Sequence, residues 1–483
     1  MSDTRETRGE LVGDGCGQQH YISLVSEIIS QQTAEAGRLP GVYIMTFGCQ
    51  QNEADSERLA GVAEAMGYVM VDRPEEASLI IANTCAVREH AEQKALSHIG
   101  RLKHIKKENP AAVIVACGCM TAQEHRQNEL KQRYPYVDIV LGSSGWQRLP
   151  ELLYRRLSGE RRLFCLDDGG AVPENLPVRR EFSYKAWLPV MYGCDNYCSY
   201  CIVPYVRGRE RSRRPEDILA EARELVGNGC RDITLLGQNV NSYGRDLGTG
   251  YDFAQLISDI SAIEGDFRLR FMTSHPKDAT RRLVDALAKS DKAARHFHLP
   301  LQSGSDKILK AMNRRYNRAN YLDTVAYIRE RMPDIALTSD IIVGFPGETD
   351  EDFEDTLDII RRVRFDMIFS FVFSPRRGTP AADMDNQVPG EVKTQRYLAL
   401  VELQNAISEE INKRFQGSVV RVLCDGPSKT DKSMYGGRTS GNKIVYYPGE
   451  QADIGNFVNV KVERTEAFAL YGTKTGEPAA DNR

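Results

Sequence analysis

The sequence predicts an α/β protein made of three successive domains, and three observations support this prediction. The chain has 483 residues, where single domains usually hold about 100–200. Apolar, β-branched segments alternate with helical segments along most of its length, a pattern typical of parallel sheets covered by helices. Residues 416–472 instead carry short alternating strands separated by Gly and Pro, which predicts a small antiparallel β-barrel.

The first domain is predicted over residues 41–157, after a polar N-terminal extension (1–40) that contains one amphipathic stretch. Its strands are expected at 42–47, 78–83, 111–116 and 136–142, each followed by a helical segment. This order predicts a small doubly wound sheet of the flavodoxin-like kind. Residues 158–183 are expected to form a linker.

The second domain is predicted over residues 184–412 from six strand–helix repeats, which suit a full or partial parallel barrel. A helical run from Glu391 to Phe415 leads into the third domain, expected over 413–474, and a short tail, 475–483, ends the chain. The six strands are expected at 188–191, 232–236, 268–274, 296–301, 336–343 and 367–374.

The composition limits the classes of protein that the chain can be. Hydrophobic residues make up 41% and charged residues 27%, as in ordinary globular proteins. No stretch approaches the roughly 18 apolar residues that span a bilayer, and the first residues lack the apolar core of a secretory signal. We therefore expect a cytoplasmic protein without a membrane segment. The net charge of −4 excludes nucleic-acid binding through electrostatic attraction to the whole protein surface. Only a local basic site could bind nucleic acid in this way.

Three cysteines follow the first strand of the second domain: Cys194, Cys198 and Cys201, separated by three and then two residues. Catalytic groups of parallel barrels lie at the carboxyl ends of strands, and thiolates suit zinc or an iron–sulfur cluster. A zinc site would need a fourth ligand, but no Cys or His follows within twenty residues. The spacing therefore favours an iron–sulfur cluster held by three thiolates, and a zinc site or three packed thiols are the alternatives.

The first domain also carries cysteines directly after successive strands. Because the carboxyl ends of parallel strands meet at one edge of a sheet, these thiols are expected to converge into a second cluster. A zinc site that includes His90 and His125 is the alternative, although both histidines fall within predicted helices. The cysteines of this set are Cys49, Cys85, Cys117 and Cys119. Spacing alone does not decide whether Cys117 or Cys119 is the third ligand.

The CxxxCxxC segment resembles the signature of radical S-adenosylmethionine enzymes, and residues 40–472 resemble the methylthiotransferases of that superfamily. The resemblance implies an N-terminal methylthiotransferase domain, a partial (βα)6 radical S-adenosylmethionine barrel and a terminal TRAM domain. It also implies two 4Fe-4S clusters, with S-adenosylmethionine as both methyl donor and radical source. The auxiliary cluster would be held by Cys49, Cys85 and Cys119, since the family motif reads Gly-Cys before the helix.

Further site residues follow from the resemblance or from the local charge. The motifs at the ends of the barrel strands imply six contacts to the cofactor: Tyr200, Gln238, Asn239, Ser274, Gln302 and Asp340. Five arginines and one glutamate between residues 207 and 214 give a local charge of +4, which predicts contacts to RNA phosphates and bases. The predicted RNA contacts are Arg207, Arg209, Arg211 and Arg213, and a solvated, salt-bridged loop is the alternative.

The wording of GCDNYCSYCIVPYVRGRERSR is closest to the branch of the family that acts on isopentenylated tRNA. The implied substrate is the prenylated adenosine next to the anticodon on its 3′ side, which would gain a methylthio group at carbon 2. Methylthiolation of threonylcarbamoyl-adenosine or of a ribosomal protein aspartate is the alternative within the family, and a non-catalytic iron–sulfur RNA-binding protein is the alternative outside it. A reductase such as flavodoxin or ferredoxin is the implied partner, and the chain is expected to be a monomer.

Overall fold

The structure, a computed structural model, describes residues 15–87, 89–166, 172 and 174–479. It forms two compact units. The first comprises Met1–Glu181, Tyr192–Asp195 and Cys201–Arg211, and the second comprises Phe182–Met191, Asn196–Tyr200 and Ser212–Arg483. Residues 1–14 of the predicted extension and 480–483 of the predicted tail lie outside the described residues.

The first unit contains a six-stranded parallel sheet with helices packed against it. The strands are β1 (Gly41–Thr46), β2 (Val69–Met70), β3 (Ala77–Thr84), β4 (Val113–Gly118), β5 (Ile139–Leu141) and β6 (Leu163–Cys165). The helices are α1 (Gly15–Ala36), α2 (Gln50–Ala65), α3 (Glu89–Glu108), α4 (Glu124–Arg133) and α5 (Leu149–Leu157). The order β2-β1-β3-β4-β5-β6 begins as a flavodoxin-like sheet does, and every described pairing is parallel.

Two elements of this unit differ from the sequence expectation. The segment predicted as an extension forms the long helix α1, and its residues Ile22, Val25 and Ile29 are buried in the core of the sheet. The segment predicted as a linker contributes β6, which pairs with β5 at the edge of the sheet. Both additions cover apolar surface, since Leu163 and Cys165 also join that core. Strands of two or three residues, such as β2 and β6, are too short for a periodic pattern to predict.

The second unit is the barrel domain and the terminal β-barrel. Its parallel strands are β7 (Lys185–Pro189), β10 (Asp232–Leu236), β11 (Arg268–Phe271), β12 (His296–His298), β13 (Ala336–Val343) and β14 (Met367–Val372). Between the first two of these, the chain carries β8 (Met191–Tyr192) and β9 (Arg211–Ser212), each shared between the two units, and α6 (Val203–Arg207), which belongs to the first unit. The remaining helices are α7 (Pro215–Gly227), α8 (Phe253–Ser261), α9 (Arg281–Lys289), α10 (Asp306–Ala311), α11 (Arg318–Arg331), α12 (Asp350–Val363) and α13 (Gly390–Lys413).

The six parallel strands confirm the predicted strand–helix repeats. They form two three-stranded sheets, β7-β10-β11 and β12-β13-β14, and a parallel bridge between Leu269 and Ala293 links their neighbouring edges. Helix α12 begins with a capping box in which Thr349 and Asp352 exchange hydrogen bonds. The carboxylate of Asp352 also accepts hydrogen bonds from Ser305 and Lys307, so this cap ties α12 to α10.

The terminal domain is a closed five-stranded barrel, as predicted, in which every pairing is antiparallel except β17–β19, which is parallel. It contains β15 (Val419–Pro427), β16 (Met434–Arg438), β17 (Ile444–Pro448), β18 (Phe457–Thr465) and β19 (Ala469–Lys474) in the order β15-β16-β17-β19-β18. The β16–β17 turn, residues 439–443, packs against the amino ends of the strands of the parallel barrel. There the Arg270 guanidinium donates to the carbonyls of Thr439 (2.7 Å) and Ser440 (3.2 Å), and Lys443 pairs with Asp366 (2.7 Å).

Candidate functional site

Three cysteines of the first unit converge at the carboxyl edge of its sheet. Cys49 caps the start of α2, while Cys85 and Cys119 follow β3 and β4 and are both buried. The pKa of the Cys119 thiol is raised to about 12, chiefly by burial and also by negative charge on Cys85 and Cys49, against the lowering effect of Arg207. Thiols separated by more than thirty residues in sequence are therefore electrostatic neighbours in the fold.

Glycines let the backbone approach these thiols closely. Gly48, at φ +115°, would place an added Cβ 2.6 Å from the sulfur of Cys85. Gly118, at φ +101°, would place one 2.2 Å from the carbonyl oxygen of Thr84. Both positions have left-handed backbone angles that favour glycine, and both directly precede a cysteine of the site. The Gly-Cys pairs at 48–49 and 118–119 thus follow from local packing.

A buried amide joins the three strand ends. Asn52, on the first turn of α2, is fully buried and donates to the carbonyls of Phe47 and Thr84, both at 2.9 Å. The carbonyl of Thr84 also accepts the backbone N–H of Cys119 at 2.9 Å. One side chain therefore fixes the chain just before Cys49, just before Cys85 and, through the shared carbonyl, at Cys119.

Arg207 completes this site from the end of α6. The residue is only 3% exposed, and its guanidinium donates to the sulfur of Cys119 (3.1 Å), the amide oxygen of Asn52 (2.8 Å) and the carboxylate of Asp55 (3.0 Å). Neighbouring apolar residues seal it, since Ile202 and Val206 pack with Ala86 and Cys119. The sequence predicts Arg207 as an RNA contact, whereas the structure directs its guanidinium into the protein.

Cys117, the competing thiol, occupies a different environment. Its side chain packs in the apolar core beside Val113 and Val115, on alternate positions of β4. Burial, Asp55 and Cys119 all raise its pKa. Cys119, by contrast, lies among the other two thiols and the guanidinium, so its surroundings favour a ligand role more than those of Cys117.

The CxxxCxxC segment is held by main-chain contacts and by a second buried arginine. In the first unit, the N–H of Cys194 donates to the carbonyl of Gly208 at 3.1 Å. In the second unit, Arg314, 4% exposed, donates to the sulfur of Cys198 (3.4 Å) and to the carbonyl of Pro300 (2.9 Å). Cys201 is partly exposed. Each set of three thiols therefore includes one sulfur that accepts from a buried guanidinium.

The predicted cofactor contacts lie at the carboxyl ends of the barrel strands. Tyr200 packs beside an apolar cluster that includes Met312 and Phe345. Ser274 donates to the carbonyl of His298, and Gln302 exchanges main-chain hydrogen bonds with the strand that carries Asp340. Gln302 has φ +71°, a conformation that costs a non-glycine residue energy and that clusters at functional sites.

Two buried amides at the end of β10 carry unpartnered polar atoms. Asn239 donates to Asp278 at 2.7 Å, but its own Oδ1 has no hydrogen-bond partner among the described residues. Both amide atoms of Asn241 are likewise unpartnered within that part of the chain. Gln238, between this strand and Asn239, is partly exposed. Buried amides without partners fit a polar ligand, so the expected position of S-adenosylmethionine is chemically suitable.

The remaining predicted RNA contacts divide by exposure. Arg209 pairs with Asp195 (2.8 Å) while its side chain stays 76% exposed. Arg211 donates to Ser144 (3.0 Å), and Arg213 is buried, with its guanidinium on Glu221 (2.7 Å) and on the carbonyl of Pro189 (2.8 Å). Of the four arginines predicted to contact RNA, Arg209 has the most exposed side chain. In the terminal barrel Lys429 and Lys432 are exposed, whereas Tyr447 is buried and Lys443 is used in its ion pair.

Sequence reasoning missed Asn52 and Asp55 as site residues, and it did not connect Arg314 to the cysteines. The segment QQNEADSER reads as a solvent-facing helix, yet most of its polar side chains are buried. A signal was present, because these polar residues directly follow Cys49, on the turn that faces the strand ends. Arg314 lies far from the cysteines in sequence, so no local pattern could assign it to Cys198.

Among the described residues, which leave out the side chain of His90, no group of three His, Cys, Asp or Glu side chains is arranged to hold a single metal ion. In the same residues, no helix has both the length and the hydropathy needed to cross a membrane.

Comparison with known proteins places each part of the chain in a family. Residues 41–142 match a family described as "Uncharacterized protein family UPF0004", residues 188–360 match the radical SAM superfamily, and residues 413–475 match the TRAM domain. The tRNA-2-methylthio-N(6)-dimethylallyladenosine synthase of Acetivibrio thermocellus is 49% identical over 94% of this chain and 95% of its own. The synthase of that name from Carboxydothermus hydrogenoformans is 50% identical over 89% of this chain and 98% of its own.

Among solved structures, the radical S-adenosylmethionine methyltransferase TsrM from Kitasatospora setae, determined with cobalamin and a 4Fe-4S cluster bound, has a TM-score of 0.54. It is 15% identical in sequence and the match covers 71% of this chain and 73% of that one. At this identity the likeness concerns the fold alone.

Proposed function

The chain belongs to the family of tRNA-2-methylthio-N(6)-dimethylallyladenosine synthases, and from this premise we propose that it adds a methylthio group to carbon 2 of a prenylated adenosine in tRNA. It is a radical S-adenosylmethionine transferase with two 4Fe-4S clusters. The non-catalytic alternative and the other substrates of the family are less well supported, because the relatives that cover nearly the whole chain carry this one name.

We assign the ligands of the auxiliary cluster to Cys49, Cys85 and Cys119. The observation that carries this assignment is their convergence, from the ends of three strands, around a network built on Asn52 and Arg207. Three thiolates are soft donors that suit an iron–sulfur cluster. The assignment for the second cluster, to Cys194, Cys198 and Cys201, rests on their spacing in the segment after the first barrel strands.

When bound, the clusters and S-adenosylmethionine supply the single electrons, the radical, the sulfur and the methyl group. The residues of this chain bind and orient the cofactor and the substrate, and they exclude water from the site. For the cofactor we propose contacts from Tyr200, Gln238, Asn239, Ser274, Gln302 and Asp340. The unpartnered Oδ1 of Asn239 and the left-handed backbone of Gln302 support two of these, since both features are found where a ligand is expected.

For the nucleic acid we propose Arg209, Lys429 and Lys432 as phosphate contacts, because these cations are exposed. An exposed guanidinium or ammonium can exchange water for phosphate at low cost, whereas a buried, paired one cannot. We further propose that the chain works as a monomer in the cytosol, where tRNA is found, and receives electrons from a flavodoxin or a ferredoxin.

The substrate assignment can be tested with anaerobically reconstituted enzyme. It would be incubated with prenylated tRNA, with unprenylated tRNA, with threonylcarbamoylated tRNA and with ribosomal protein, and the products analysed by mass spectrometry. We expect a methylthio product from prenylated tRNA alone. Turnover only on the protein or on threonylcarbamoylated tRNA would contradict the proposal, and failure to form 5′-deoxyadenosine under reducing conditions would favour the non-catalytic alternative.

The cluster assignment can be tested by iron analysis. We expect about eight irons per chain from two clusters of four. Changing Cys49, Cys85 and Cys119 together to Ala should leave about four, and so should changing Cys194, Cys198 and Cys201. The second variant should also lose cleavage of S-adenosylmethionine, while the first keeps it. A triple variant that retains all its iron would overturn the corresponding set of ligands.

A further inference from the structure

The position of Arg207 is unusual for a residue in a basic, hydrophilic segment. It ends α6, six positions after Cys201, and its side chain is 3% exposed. A buried guanidinium is costly unless charged or polar acceptors surround it. The acceptors here are one sulfur, one amide oxygen and one carboxylate, all of them in the auxiliary cysteine site.

The three acceptors have distinct roles. Asp55, 2% exposed, supplies the countercharge that allows the guanidinium to be buried, and its other oxygen accepts from Gln51 at 3.0 Å. Asn52 accepts from Arg207 and donates to main-chain carbonyls next to Cys49 and Cys85. The Nε–H of Arg207 is directed at the sulfur of Cys119, and of the three acceptors named here this sulfur alone is a proposed cluster ligand.

Hydrogen bonds to ligand sulfur and nearby positive charge are known physical controls of iron–sulfur sites. They stabilise the more negatively charged, reduced state of a cluster and therefore raise its reduction potential. Groups that hydrogen-bond to a metal ligand and orient it also affect the affinity for the metal, typically by 10-fold to 100-fold. Arg207 combines both properties at Cys119, because it is a cation and its N–H is already aligned with the sulfur.

We propose that Arg207 is a positioning residue of the auxiliary iron–sulfur cluster, which fixes the Cys119 sulfur and raises the reduction potential of that cluster. This inference rests on the proposed function, which supplies the cluster itself. It replaces the role in RNA binding that the sequence predicts for this arginine. Its two neighbours in the network, Asn52 and Asp55, are then the residues that hold the guanidinium in position.

The test compares Arg207→Lys and Arg207→Met with a matched control, Arg58→Met. Arg58 is a buried arginine of the same unit, 5% exposed, but it donates to Tyr192 and lies 5.6 Å from the Trp146 ring centroid, without a described contact to a cysteine. All variants would carry Cys194, Cys198 and Cys201 changed to Ala in the full-length chain, so that the auxiliary cluster alone is observed. The readouts are iron and sulfide content, the midpoint potential from EPR-monitored titration, and the rate of iron loss to a chelator.

We expect Arg207→Met to lower the potential and to speed iron loss by roughly 10-fold to 100-fold. Arg207→Lys, which keeps the charge without the planar fork of donors, should retain iron and show a smaller shift of potential in the same direction. Arg58→Met should leave both readouts unchanged. Should Arg207→Met fail to fold, the potential of the Lys variant decides alone.

Unchanged potential and unchanged iron loss in the Arg207 variants would overturn the inference, and so would an equal effect of Arg58→Met, which would make Arg207 a general packing residue. Weaker tRNA binding at an unaltered potential would restore the RNA role and overturn it as well. A parent chain without the auxiliary cluster would instead count against the proposed function, so the two failures are distinguishable.

Discussion

Replacing Arg270 by Met should loosen the terminal barrel from the parallel barrel without unfolding either one. The Arg270 side chain is buried and donates to the carboxylate of Asp232 (2.9 Å) and to the carbonyls of Thr439 (2.7 Å) and Ser440 (3.2 Å). The Asp232 pair lies within the parallel barrel, so only the two hydrogen bonds to the turn oppose undocking, and hydrogen bonds to a charged group contribute about 1.5–3 kcal/mol each. We therefore expect Arg270→Met to weaken the docking of turn 439–443 by about 3–4 kcal/mol. This loss of free energy corresponds to a roughly 100-fold to 1,000-fold larger undocked population.

The backbone N–H of Arg295 reports this undocking directly, because it donates across the contact to the hydroxyl of Ser440 at 2.9 Å. Hydrogen–deuterium exchange at this amide should therefore accelerate roughly 100-fold to 1,000-fold in Arg270→Met, following the population of the open state. Exchange in the strands of each barrel should change far less.

Arg421→Met is the matched control at the same contact. Arg421 pairs with Asp266 at 2.6 Å, but the Asp266 side chain is 59% exposed, and exposed pairs contribute about 0–1 kcal/mol. Exchange at Arg295 should then rise by less than about 5-fold. An equal response to both substitutions, or no response to Arg270→Met, would refute the argument that burial makes the Arg270 contact strong.

Three further predictions concern the cysteine site and the α12 cap. Gly118→Ala should lose about four irons, because its added Cβ would lie 2.2 Å from a backbone atom. Gly159→Ala is the control, because Gly159 has a similar φ of +106° but nothing within 4 Å of the added Cβ. Iron analysis should show that Gly159→Ala retains its iron and that Gly118→Ala does not. Cys117→Ala should retain both clusters while Cys119→Ala loses one, and the reverse result in iron analysis would exchange their roles. Partial burial of Asp352 acts to raise its pKa, but hydrogen bonds to the carboxylate have the larger effect and lower the pKa to about 2. The ionised carboxylate therefore stabilises the fold above about pH 4, and this stabilisation is lost as the pH falls towards 2. Asp352→Asn apoprotein should accordingly be less stable to urea at pH 7, with a difference from the parent that shrinks below about pH 4; a constant difference would contradict the lowered pKa.

The order of the elements and the position of the cysteines were predictable because they depend on local patterns. Apolar runs bounded by Gly or Pro mark strands, and a cysteine after each of three parallel strands must reach the same edge. The glycine before Cys49 and the one before Cys119 are visible in the sequence for the same reason, since each allows the chain to turn closely past its neighbour.

The direction of the arginine side chains was not predictable. Arg207, Arg209 and Arg213 lie within seven positions of one another, yet the first and last are buried and the middle one is exposed. Whether a guanidinium turns inward depends on the acceptors it meets, and those of Arg207 come from α2 and from Cys119 after β4, all distant in the sequence. A run of like charges reads as a solvated surface unless these distant partners are known.

The docking of turn 439–443 determines what a shortened version of this protein can be. A chain ended before Arg414 would keep every residue of the predicted cofactor site, but it would uncover Arg268 and Arg270, whose guanidinia are satisfied by carbonyls of the terminal barrel. Two cations and a carboxylate, Asp232, would then face water at the amino ends of the catalytic strands. A shortened chain would therefore lose these hydrogen bonds across the contact, and exchanging the terminal barrel between relatives requires the new barrel to bring a turn that offers the same carbonyls.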